Sequence, residues 1–88
     1  MNKLLKDLYI ISVEYFCGNE AGDEWTEQVF LGIDEKGPHR LLVFDKEINA
    51  RTKVFGSELE AQTYIKEHLK PGICFENPIS IPMTDVIA

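Results

Sequence analysis

Between Leu8 and Cys17 apolar residues recur at every second position: Tyr9, Ile11, Val13, Tyr15 and Cys17. This period-two spacing of β-branched and aromatic side chains sets one apolar face on an extended strand. Such a strand needs hydrogen-bonded neighbours and a layer to cover its face. The opposite face, Leu8, Ile10, Ser12, Glu14 and Phe16, is mixed. The segment that follows, Cys17-Gly18-Asn19-Glu20-Ala21-Gly22-Asp23, carries two glycines and reads as a loop.

Trp25 to Ile33 reads as a second strand, with Trp25, Glu27, Val29, Leu31 and Ile33 on one face. The loop before it is short, so the two strands form an antiparallel hairpin. Asp34 to Pro38 is a turn. Arg40 to Phe44 is a short strand, apolar on both faces and therefore expected at the sheet centre. Thr52 to Phe55 is expected as a fourth short strand.

Ser57-Glu58-Leu59-Glu60 is a capping box: the serine oxygen takes an orphan amide while Glu60 reaches back. Ala61, Tyr64, Ile65, His68 and Leu69 then fall on one helical stripe. Lys66 and Lys70 suit the negative end of the helix dipole, and Pro71-Gly72 terminates a helix spanning Glu58 to Lys70. Ile73 to Glu76 reads as a last short strand. Pro78 and Pro82 confine the tail to an edge or a covering arm. The expected fold is α+β: an antiparallel sheet of four to five strands, in the order β-β-β-β-α-β, packed by one helix. One sheet face is left partly open.

The chain has 88 residues, 44% apolar and 27% charged, which suits one domain over 1–88 with a small core. No apolar run approaches the roughly 20 residues of a membrane span. The N-terminus leads to no signal-peptide cleavage site. The two cysteines, Cys17 and Cys74, lie in apolar stretches and read as reduced, buried residues of a cytoplasmic protein.

Charge is the strongest signal beyond the fold. The net charge is −6, which disfavours direct binding to nucleic acid or an anionic membrane. Between Lys6 and Lys36 there are eight acids and no lysine or arginine: Asp7, Glu14, Glu20, Asp23, Glu24, Glu27, Asp34 and Glu35. From Lys36 to Lys53 there are five basic residues against Asp45 and Glu47. The first hairpin is thus the negative end of a dipolar molecule. Such a surface either keeps the chain in solution or steers a basic partner onto the hairpin. Trp25 beside the acids either packs at a strand end or anchors an interface.

Other chemistries find little support. Asn19, Glu20, Asp23 and Glu24 do not follow the ligand spacing of a calcium loop. Cys17, Cys74, His39 and His68 lack the paired spacing of a zinc module. Neither cysteine has neighbours that would activate it as a nucleophile. There is no phosphate-binding loop, no dinucleotide fingerprint, and no basic stripe with aromatic residues. Carboxylate pairs recur throughout an acidic chain and single out no glycosidase site. The expectation is no catalytic residue, no metal and no cofactor.

Lys53-Val54-Phe55-Gly56-Ser57, with Glu60-Ala61 and Tyr64-Ile65, joins a short strand to a capped helix. In this joint, about a sixth of the chain, the sequence resembles small uncharacterised proteins encoded by phages and prophages. Several such acidic proteins, anti-CRISPR proteins among them, bind a host protein that handles nucleic acid. The resemblance implies an inhibitory partner role and transfers no residue. The leading expectation is a non-catalytic module. It docks Glu20, Asp23, Glu24, Trp25 and Glu27 on the basic surface of another protein and competes with any nucleic acid bound there. The second expectation is a structural protein that forms a homodimer or larger assembly through its open sheet edge.

Overall fold

The computed structural model describes residues 7–36, 39–72 and 74–86. Four strands form one antiparallel sheet: β1 (Tyr9–Gly18), β2 (Glu24–Lys36), β3 (His39–Asp45) and β4 (Phe75–Pro82), in the spatial order β3-β2-β1-β4. One helix, α1 (Glu58–His68), lies between β3 and β4 in sequence and packs on β1 and β4. The α+β architecture with one helix on an antiparallel sheet is as the sequence pattern implies.

The alternation in β1 does what period two requires. Ile11 and Val13 are fully buried with Val29 and Leu31 of β2, Phe55, and Ala61 and Leu69 from the helix side. Each such side chain contributes about 1.5–3 kcal/mol by leaving water. Tyr15, Phe44 and Phe75 extend this face as a row of tilted rings, with centroids 5.8 and 5.5 Å apart.

The helix begins where its cap dictates. Glu60 N–H donates to Ser57 Oγ at 3.1 Å, and the Glu60 carboxylate accepts from Gly56 N–H at 3.0 Å. The reciprocal bond thus falls one residue before the expected Ser57 amide. The helix ends at His68, short of Lys70, with Leu69 N–H bonded to the Ile65 carbonyl. His68 does not join the buried end of the stripe. It is exposed, and its ring lies 4.5 Å from that of Tyr64.

Three strand assignments change. Thr52 to Phe55 is not a strand of the ladder but a wedge inside it. β1 and β2 stay paired only from Ser12↔Phe30 to Gly18↔Glu24. Beyond that point Lys53 N–H donates to the Leu31 carbonyl and Ile33 N–H to the Arg51 carbonyl. Tyr9 and Phe55 exchange both backbone bonds, at 2.9 and 2.7 Å. The segment therefore fills the gap where β1 and β2 part. It approaches so closely that a Cβ on Gly32 would stand 2.7 Å from the Arg51 carbonyl oxygen.

β3 lies at an edge, not at the centre. Its apolar residues on both faces are not a sign of burial on both: Leu41 is 53% and Leu42 44% accessible, while Val43 and Phe44 are partly covered. The last strand runs from Phe75 to Pro82, not Ile73 to Glu76; Ile73 is outside the described residues. Pro78 and Pro82 fit because β4 is the other edge. Its register with β1 shifts between Ser12 and Glu14, where Asn77 takes a positive φ of 50°. The mixed face of β1 is less open than expected, since Ile10 and Ser12 are buried. No helix among the described residues is long and apolar enough to cross a membrane.

Candidate functional site

The β1–β2 hairpin ends in a tight turn over residues 19–23. Gly22 N–H donates to the Asn19 carbonyl at 3.2 Å, and Gly22 holds φ 89°, a conformation glycine adopts without strain. Asn19 braces the other side. Its Oδ1 accepts from Asp23 N–H at 3.1 Å, and its Nδ2 donates to Asp23 Oδ2 at 3.3 Å. Asparagine suits the position because its amide can mimic a backbone turn.

Four of the five expected site residues come together here. Glu20, Asp23 and Glu24 are exposed, and Trp25 opens β2 with 43% of its surface accessible. Among the described residues, none of these three carboxylates is within ion-pair distance of a cation.

Glu27 has a different place. It is half-buried on the helix-side face, opposite Tyr15, and its Oε2 lies 3.1 Å from Lys46 Nζ. The Lys46 ammonium, and after it the Trp25 indole N–H, hold the Glu27 carboxyl below the usual carboxylate range against the opposing effect of burial. The acid expected as a docking charge is therefore paired with a cation of its own chain. The distance along the chain hid this, because Lys46 lies nineteen residues away. Asp34 and Asp45 are likewise paired, both with Arg51, at 3.4 and 2.8 Å. The basic segment thus folds back onto the sheet body and neutralises three acids there, while Glu14, bonded to Asn77, and the three acids of the turn have no ion-pair partner among the described residues.

The two cysteines differ from the sequence reading and from each other. Both are free thiols, but Cys74 is exposed and only Cys17 is partly covered. Burial, and then the neighbouring Glu27 carboxylate, push the Cys17 thiol up from its ordinary value. Phe16 N–H donates to the Cys74 carbonyl, which sets Cys74 beside Phe16 on β1, on the face opposite to Cys17. His68 stands on α1, and the side chain of His39 lies outside the described residues. Among the described residues, no three His, Cys, Asp or Glu side chains gather as a metal-binding group.

No family model matches the chain, and no curated protein or solved structure matches it.

Proposed function

We propose that this chain is a non-catalytic protein-binding module that docks its acidic hairpin tip on a basic surface of another protein. The observation that carries this reading is the trio Glu20, Asp23 and Glu24, without an ion-pair partner among the described residues, on the turn that leads into a 43%-exposed Trp25, while Glu27, Asp34 and Asp45 of the sheet body have cationic partners. Three like charges on one braced turn repel one another, and a cationic partner relieves that repulsion. Carboxylates at such a tip steer encounter, and a tryptophan next to them in the chain is a residue type suited to an interface anchor. In this reading Glu27 is held by Lys46 on the sheet face, and the tip trio meets the partner. Where the basic surface serves nucleic acid, docking competes with that ligand, the mode of an inhibitor encoded by a mobile element.

The test is affinity capture with the wild-type chain and with a Glu20→Lys/Asp23→Lys/Glu24→Lys variant, after circular dichroism has shown that the variant folds. A partner with a basic surface that is retained by the wild type and lost by the variant supports the reading. Equal retention of the same proteins by both chains overturns it.

A further inference from the structure

The two neighbours of β1 hold it on different terms. β2 pairs with it in unbroken register over seven residues, and Val13 and Val29 are buried along that seam. β4 pairs with it less regularly, and none of its eight residues is buried. Pro78 and Pro82 bring no N–H, and the register shifts between Ser12 and Glu14. Asn77 holds φ 50°, a left-handed backbone that costs a residue with a Cβ more than it costs glycine. Glu14 and Glu76 then stand directly opposite each other, where like charges weaken a ladder. Gln28 faces Glu14 from β2 and brings no charge. Among the described residues, neither carboxylate is within ion-pair distance of a cation. We propose that β4 is a latch strand: it opens from β1 as a unit while β1 and β2 stay paired, and the opposed Glu14 and Glu76 charges set how readily it opens.

Outside the ladder, β4 is held at a few points. Asn77 Nδ2 donates to Glu14 Oε2 at 2.7 Å, and the Phe75 ring lies 5.5 Å from that of Phe44. At its two ends Phe16 N–H donates to the Cys74 carbonyl at 3.0 Å, and Met83 N–H to the Leu8 carbonyl at 2.9 Å. Opening breaks these contacts and leaves the Val13–Val29 seam and the bonds of residues 51–55 in place. A segment with little buried apolar surface opens at a lower free energy than the core. While β4 is open, β1 is an edge strand, and its backbone at Ile10 and Ser12 is free to pair with another strand.

The backbone of β1 separates its two neighbours residue by residue. Tyr9 exchanges both its backbone bonds with Phe55, and Phe16 N–H turns the other way, to the Cys74 carbonyl. Backbone groups alternate from side to side along an antiparallel strand. Ile10 and Ser12 therefore bond to their partners Ile81 and Ile79 of β4, while Val13 and Tyr15 bond to Val29 and Glu27 of β2. Adjacent amides of one strand thus report on two different seams.

The test is amide hydrogen exchange of the intact chain, read by NMR. The amides of Ile10, Ser12, Ile79 and Ile81 should be at least about tenfold less protected than those of Val13, Tyr15 and Val29. Low urea should speed the second group more than the first, because whole-chain unfolding exposes more surface than release of one strand. Glu76→Gln removes one of the opposed charges and keeps the Glu14–Asn77 bond, so it should slow exchange of the first group about two- to fivefold. Glu76→Lys, which replaces repulsion by attraction, should slow it at least as much. Equal protection and equal urea dependence of Ser12 and Val13 would show that β4 opens only with the whole chain, and overturns the proposal. Exchange of the first group that ignores the charge at position 76 in both variants overturns the control by Glu14 and Glu76. If one variant fails to fold, the other decides that point.

Discussion

The hairpin tip and the sheet body hold the same kind of acid in opposite surroundings. In the body, Asp34 and Asp45 share Arg51, and Glu27 takes Lys46, so each carboxylate has a cation that the fold brings back to it. At the tip, Glu20, Asp23 and Glu24 stand in solvent with only the Asn19 amide for company. The chain has cations to place and places none of the described ones at the tip. What differs is geometry: the basic segment after β3 must cross back toward the gap between β1 and β2, which lies at the far end of the sheet from residues 19–23. Uncompensated charge at one end of an elongated molecule, 52 × 34 × 23 Å, is a consequence of that route.

Substitutions can break this contrast. The largest effect is expected from two apolar residues on one face of β2. Leu31→Ala, at a fully buried site, should destabilise by about 2–5 kcal/mol in urea unfolding, while Trp25→Ala should cost no more than about 1 kcal/mol. Similar losses at both would make Trp25 a core residue rather than a tip residue. Gly32→Ala comes next, at roughly 1–3 kcal/mol, because the new Cβ meets a backbone carbonyl at 2.7 Å and the wedge must shift. Arg51→Ala should cost about 1 kcal/mol, since two partly covered carboxylates lose their shared cation and Asp45 Oδ2 is already buried without a partner.

The smallest expected effect is one of pH. Lys46 depresses the Glu27 carboxyl, so the pair stabilises the fold above the ordinary glutamate range. That contribution is lost as pH falls through this range toward the depressed value. The stability difference between wild type and Lys46→Ala should therefore be present at neutral pH and fade in acid. A difference constant with pH would place the role of Lys46 in packing alone.

Local signals made part of this fold legible, and long-range pairing hid the rest. The Ser57 cap and the alternation of β1 could be read because each is settled within a few residues. Thr52 to Phe55 looked like a strand because it is extended and bonded on both sides, yet its two bridges are to different neighbours. The pattern Ile73 to Glu76 stops short of the strand because Pro78 interrupts it, although the same prolines point to the edge position that β4 occupies. The acidic run that includes the tip is visible along the chain as an absence of positive charge. The Lys46–Glu27 pair was not, because it joins residues nineteen apart.

The most direct test of a docking role for the tip is the association rate constant with the captured partner, measured at low and at physiological salt. Wild type should associate faster at low salt, and the Glu20→Lys/Asp23→Lys/Glu24→Lys variant should lose about tenfold or more of that rate. Trp25→Ala should instead speed dissociation. An unchanged rate and affinity for the folded triple variant at low salt would contradict a docking role and leave the acidic tip as a solvated surface.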